Sequence, residues 1–154
     1  MRAAAKKGAI IGLWFENQKY YPSVNELREW IETEKYGIFR SLKIWLGEYF
    51  AGKKKRHNFP LAPEGTPFQL KIWDILSQTE YGTITNYGKI AKTFTFTTMF
   101  KTTPRVVGGA VRRNPISILI PCHRVLGANK SLIGYAGGLD KKQFLLELEG
   151  IKID

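Results

Sequence analysis

Residues 103–127, TPRVVGGAVRRNPISILIPCHRVLG, run from a helix start to the only cysteine of a 154-residue chain. Thr103 and Pro104 have the chemistry of an N-cap and a first helical residue. The hydroxyl can accept an orphan backbone N–H, and the ring lacks only an N–H that would go unpaired there anyway. The helix they open runs through RVVGGAVRR to Asn114–Pro115, where the proline stops it. Gly108 and Gly109 inside it each cost roughly 1 kcal/mol relative to alanine. Two explanations stand: tight packing on a neighbouring helix, or close approach of this backbone to something bulky such as a DNA groove. ISILIP then reads as a short buried strand or extended segment ending at Cys122. Pro121 disfavours helix at Ile120 and gives the thiol a rigid lead-in.

On the N-terminal side, Thr85 can cap a short helix through Tyr87, Ile90 and Ala91. This helix and the one from Pro104 resemble a helix-turn-helix. Between them TFTFTTMFKT is rich in poor helix formers, and its structure is open. Thr66–Pro67 opens an earlier helix with Phe68, Ile72, Ile75 and Leu76 on one face and Trp73 at its border; Tyr81–Gly82 ends that pattern. Before it, GKKKRHNFPLAPEGTP is basic and then Pro/Gly-rich, which fits a solvated linker. Ile38, Leu42, Trp45, Leu46, Tyr49 and Phe50 repeat at helical spacing, with Gly52 placed for a left-handed cap. AIIGLWF (9–15) reads as a strand after a KKG turn. Past the thiol, 127–138 is a loop, followed by a helix with Leu139, Phe144, Leu145 and Leu148 inward and Gly150 beyond its end. The expected class is α/β (α+β): an N-terminal α/β unit over 1–52, a linker over 53–65, and a mainly helical unit over 66–154.

Twenty-four Lys and Arg oppose thirteen Asp and Glu, giving a net charge of +11 and a pI near 9.8. That excess suits a polyanion, most often nucleic acid, because phosphate contacts release condensed counterions; a merely basic soluble protein is the alternative. Four Trp, nine Phe and seven Tyr can fill a core. No stretch approaches the roughly 18–20 apolar residues of a membrane span, and MRAAAKKGAI has no apolar secretory region. One cysteine makes no internal disulfide, and no Cys/His cluster has metal-ligand spacing. A cytoplasmic monomer without metal or other cofactor is expected.

A lone cysteine is ordinarily a small buried hydrophobe. Here Pro121 precedes it, His123 and Arg124 follow it, and Glu149 lies near a helix end where it could orient a histidine. Thiol, imidazole and carboxylate are the parts of an activated nucleophile. A free thiol, with pKa about 8.5, is only a few per cent thiolate at neutral pH, so it needs such activation. A Cys-His peptidase is the first enzyme these residues suggest. A structural His123 bonded to backbone carbonyls is the non-catalytic alternative.

PCHRV, preceded by RNPISILI and followed by GYAGGLDKKQFLLELEG, resembles the O6-alkylguanine-DNA alkyltransferases, suicide repair proteins. The likeness extends from about Ile11 to the C-terminus through GLWFENQKYYP, LAPEGTPFQLKIW and RVVGGAVRRNP, and it displaces the peptidase reading. It implies an RNase H-like N-terminal unit, here apparently truncated, and a partner: double-stranded DNA carrying O6-alkylguanine, bound through the minor groove without sequence preference. It implies Cys122 as alkyl acceptor, His123 acting on it through water, Glu149 paired with His123, and Asn114 bracing the turn. Tyr87 would protonate the leaving guanine and crowd the backbone phosphate. Arg105 would replace the flipped base, with Val106, Gly108, Gly109 and Arg112 beside it on the recognition helix. The Val125 carbonyl would take the guanine amine; Tyr135, Ala136 and Lys142 belong to the lid loop and the helix after it. The family usually begins with a strand hairpin, of which MRAAA is at most a stub, leaving 9–15 with an unpaired edge. An alkyltransferase-like protein that flags lesions without repairing them, and a helix-turn-helix regulator, are the competing functions.

Overall fold

A computed structural model describes residues 1–33 and 35–153. The chain opens with a hairpin, β1 (Arg2–Lys6) antiparallel to β2 (Ala9–Trp14). Lys7 and Gly8 both take positive φ, 50° and 81°, the turn chemistry that matches strand twist. MRAAA therefore supplies a full pairing strand, and the expected unpaired edge is not there. The other edge of β2 is also occupied. The Ile10 and Leu13 amides donate to the Pro60 and Pro115 carbonyls at 3.0 and 2.8 Å, while the Ala62 and Ser117 amides donate back to the Ile10 and Leu13 carbonyls at 2.8 Å. The hairpin is thereby tied to residues 60–62 and to the turn that leads to Cys122.

A five-residue helix, α1 (Val24–Arg28), adds to the elements expected from the sequence; a Ser23–Glu26 capping box starts it. Helix α2 (Gly37–Phe50) ends as its sequence suggests. Gly52 sits at φ 78°, its amide donates to the Tyr49 carbonyl at 2.9 Å, and the Lys53 amide reaches the Glu48 carbonyl at 3.0 Å. The basic run after it is exposed, with Lys53 and Lys55 paired to Glu48 at 3.6 and 3.1 Å.

Helix α3 (Pro67–Ser77) carries the Thr66–Gln69 capping box. Its Trp73 is not at a border. It is buried, and the indole N–H donates 2.9 Å to the Ala110 carbonyl of α5 (Pro104–Arg112). Between these helices lie β3 (Thr85–Asn86) and α4 (Tyr87–Thr98). Asn86, not Thr85, caps α4 by accepting the Lys89 amide at 2.9 Å; Thr85 instead pairs in parallel with Val125 of β4 (Val125–Leu126). The threonine-rich stretch continues the helix. Its Thr97 and Thr98 hydroxyls donate to the Thr93 and Phe94 carbonyls at 3.0 and 2.8 Å, while Phe94 is buried against Phe68. Packing of Phe94 outweighs weak propensity here. Met99, at φ 63°, ends α4, and Thr103 caps α5 through the Val106 amide as expected.

ISILIP is not a strand. One bridge joins Ile116 to Leu13, after which the chain coils: the Leu119 amide donates to Ser117 and the Ile120 amide to Ile116, with Ile118 at φ 70°. The last helix, α6 (Leu139–Leu148), turns Lys142, Leu145 and Leu146 inward. Leu139 and Phe144, expected inside, are about half exposed. Their places are taken by Leu146 and by a lysine that hydropathy patterning assigns to solvent.

Candidate active site and nucleic-acid interface

The site is built on the turn after α5. The side-chain carbonyl of Asn114 accepts the Ile116 amide at 2.9 Å, and its Nδ2 donates to the Ile120 carbonyl at 2.8 Å and to the Cys122 sulfur at 3.0 Å. Asn114 thus supplies partners to the Ile116 amide and the Ile120 carbonyl, while backbone groups within the turn and Leu13 take most of the others. Pro121 (φ −82°, ψ 62°) lies at the centre of a three-residue turn closed by the Cys122 amide on the Ile120 carbonyl at 2.8 Å. The ring presets that φ, so the thiol leaves a stiff corner and enters a short 3₁₀ turn, Cys122–Arg124.

Glu149 stands at the C-terminal cap of α6, where Gly150 (φ 80°) ends the helix. Its carboxylate gathers donors from three other parts of the chain. His123 Nε2 lies 2.8 Å from Oε1, Arg124 Nε and Nη2 lie 2.8 and 2.9 Å from Oε2 and Oε1, the Tyr49 hydroxyl donates at 2.7 Å, and the Gly82 amide at 3.1 Å. Burial alone would raise the Glu149 carboxyl, but the hydrogen bonds and charges of His123 and Arg124 prevail and hold it at about 2. An ionised carboxylate only accepts, so Nε2 carries the proton and Nδ1 carries the lone pair. Nδ1 is buried and has no protein hydrogen-bond partner among the described residues. Burial pushes the His123 imidazole down, keeping it neutral.

The thiol itself is buried. Burial pushes its pKa up, opposed by the Asn114 hydrogen bond and the charge of Lys142. The Arg124 guanidinium next to the thiol in sequence is taken up by Glu149 and the Thr79 carbonyl. What remains is a neutral thiol beside a neutral base. That pair holds a proton until a reaction draws it off.

Lys142 is fully buried and donates to the Val125 and Ile133 carbonyls, joining the cysteine turn to the loop before α6. Burial lowers its pKa to about 8, against the opposing pull of the Cys122 charge. Tyr135 is buried from that loop, edge-on to Phe15 at 6.3 Å between centroids, and the Ala136 carbonyl accepts the Lys19 amide at 3.0 Å. Tyr87, the first residue of α4, reaches the Gly134 carbonyl at 3.5 Å; burial raises its pKa, so it stays a donor. Cys122, Asn114, His123, Glu149, Tyr87, Val125, Tyr135 and Lys142 thus converge.

The α5 residues do not enter this cluster. Arg105, Val106 and Arg112 are exposed, with Arg112 Nε donating to the Gly108 carbonyl at 3.3 Å. A Cβ added at Gly109 would meet nothing within 4 Å, and at Gly108 only the Tyr87 ring at an ordinary 3.6 Å. Internal packing requires glycine at neither position.

Sequence reasoning missed Tyr49, the carboxylate role of Arg124, and Gln18, which accepts the Phe15 amide at 2.8 Å and the Ser117 hydroxyl at 3.4 Å. Tyr49 carries a helical-core signal, and nothing local marks a hydroxyl whose partner is 100 positions away.

Residues 67–151 match the family model described as 6-O-methylguanine DNA methyltransferase, DNA binding domain. The chain is 49% identical over 121 residues to a methylated-DNA–protein-cysteine methyltransferase of Methanosarcina acetivorans, covering 79% of this chain and 74% of that protein. A protein of the same name from Haemophilus influenzae is 41% identical over 144 residues, 93% of this chain and 76% of its own length. The crystal structure of Mycobacterium tuberculosis OGT in complex with DNA superposes with a TM-score of 0.84 at 36% identity, covering 96% of this chain and 85% of that one. Matched over most of its length by these relatives and over 67–151 by the family model, the chain belongs to the methylated-DNA–protein-cysteine methyltransferase family.

Proposed function

We propose that this protein repairs O6-alkylguanine in double-stranded DNA by moving the alkyl group, once per molecule, onto Cys122. The observation that carries the reading is a thiol fixed by Asn114 on a proline corner, beside an imidazole whose proton-bearing nitrogen is held by Glu149. The alkylated base is stacked in a duplex, so it must be flipped before any side chain reaches its substituent. Arg105, exposed in the first turn of α5, fills the gap, while Val106, Gly108 and Gly109 let the helix lie close in the minor groove without reading sequence.

In the pocket, the Cys122 proton passes through a water to His123 Nδ1, and the imidazolium that forms is stabilised by the Glu149 carboxylate. The thiolate attacks the alkyl carbon in line, the C–S bond forms, and the C–O6 bond breaks with its electron pair moving into guanine. Tyr87 donates the proton that the leaving base takes up. The Val125 carbonyl, already holding Lys142, accepts the guanine amine on its free lone pair, and the loop carrying Tyr135 and Ala136 closes over the base. The product thioether is not hydrolysed. Residues 1–52 and 66–154 act as two units joined by 53–65, with Tyr49 reaching from the first to the Glu149 of the second. The reading places the protein in the cytoplasm beside its substrate; no helix among the described residues is long and apolar enough to cross a membrane. A lesion-flagging protein without chemistry would have no use for Cys122 in this setting.

Removal of methyl groups from a duplex carrying O6-methylguanine, in excess over protein, tests it. A burst equal to the protein concentration followed by a flat line is expected. Continued turnover contradicts a thioether end point.

A further inference from the structure

Phe96, Met99 and Phe100 are 84%, 85% and 74% exposed. They fall within five positions at the end of α4 and the start of the turn into α5, and Phe96 points away from the buried Ile90, Ala91 and Phe94. Such side chains gain free energy by leaving water for an apolar contact. Contiguous apolar surface of this kind marks a site that a partner covers.

Charge decides between partners. From Tyr81 to Leu139 the sequence holds eight Lys and Arg and no Asp or Glu. Lys92 lies one helical turn before Phe96, Lys101 directly follows Phe100, and both are exposed. A second copy of the chain would bring an equal positive field, from a net charge of +11, against this surface. A duplex brings phosphates. The patch also adjoins the helix from Pro104 in sequence, with Arg105 five residues beyond Phe100, and it lies inside the matched DNA-binding domain, 67–151.

We infer that the tip formed by Phe96, Met99 and Phe100 is a second contact on duplex DNA. Its phenyl and thioether groups pack on the sugars and base edges of the minor groove beside the target nucleotide, as apolar wedges do in other minor-groove proteins. Lys92 and Lys101 sit on the adjoining phosphates. The inference rests on the repair reading above and adds to it a contact that holds the duplex without touching the chemistry.

The test compares the full chain with the double variant Phe96→Ser/Phe100→Ser, by fluorescence anisotropy on an undamaged labelled duplex across a salt series, and by labelling with free O6-benzylguanine. The double variant should bind the duplex at least about tenfold more weakly, near 1.4 kcal/mol. Its slope of log affinity against log salt should not change, because no charge is removed, whereas Lys101→Ala should lower that slope by about 0.9. Free-base labelling and melting temperature should hold, and Phe100→Leu should retain most of the affinity. Duplex affinity within twofold of the parent in the double variant overturns the inference. So does a parent dimer that the double variant dissolves without loss of DNA affinity, since the patch then belongs to a second copy. A parent that accepts no alkyl group, while the affinity loss persists, sinks the repair reading and leaves the contact standing.

Discussion

Glu149 is the residue on which the site's electrostatics turn. It receives His123, Arg124, Tyr49 and Gly82, and its own side chain is fully buried. Removing one partner of such a buried pair leaves the other charge uncompensated, which costs about 3–5 kcal/mol. Glu149→Gln should therefore lower stability by that order and slow labelling by free O6-benzylguanine, because His123 loses the anion that stabilises its imidazolium. The same group sets a pH dependence. Its folded pKa of about 2 lies below the roughly 4.3 of an unfolded glutamate, so its stabilisation is complete above 4.3 and is lost as pH falls toward 2. His123, lowered by burial from an unfolded value near 6.5, has the same sign and begins to cost stability once pH drops below that value. The melting temperature should fall steadily from pH 7 to pH 3, and Glu149→Gln should flatten the part below pH 5. A melting temperature indifferent to pH in that range contradicts the described network.

At the scale of elements, Gly109 separates the two explanations left open by the sequence. A Cβ there meets open space, so Gly109→Ala should stabilise the fold by up to about 1 kcal/mol through helix propensity while weakening duplex binding. Loss of stability would instead point to helix packing. Helix starts at Thr66 and Thr103 and the stop at Gly52 were legible because cap chemistry is local, a hydroxyl or a left-handed glycine acting within a few residues. Thr85 and Asn86 are both competent caps. Pairing of Thr85 with Val125, forty positions on, assigns the role to Asn86, and no local rule carries that information. ISILIP reads as a strand by composition, yet its backbone groups are met by local turn bonds and by the Asn114 side chain, which takes the Ile116 amide and the Ile120 carbonyl. Lys142 breaks hydropathy patterning because two carbonyls from different loops receive its ammonium. Cys122 and His123 were legible as a motif, and the fold sets them beside Glu149; the Tyr49 and Arg124 bonds to Glu149 were not legible.

Over the whole molecule, the hairpin, α2 and α6 converge behind the cysteine turn. The hairpin docks through Leu13 on Pro115 and Ser117, α2 through Tyr49 on Glu149, and α6 through Lys142 on Val125. Helices α4 and α5 carry exposed basic side chains, Lys89, Lys92, Arg105 and Arg112. In the proposed reaction this scaffold would hold the Cys122 thiol still while the base is brought to it. The most direct measurement is intact-mass and peptide mass spectrometry after incubation with a duplex carrying O6-methylguanine. The protein should gain one methyl in place of one hydrogen, roughly 14 Da, confined to the peptide that holds PCHRV, because the thiolate is the nucleophile. Cys122→Ser should bind the duplex about as well, since phosphate contacts carry most of the affinity, and gain nothing. A methyl on any other peptide, or on the serine variant, would contradict Cys122 as the acceptor.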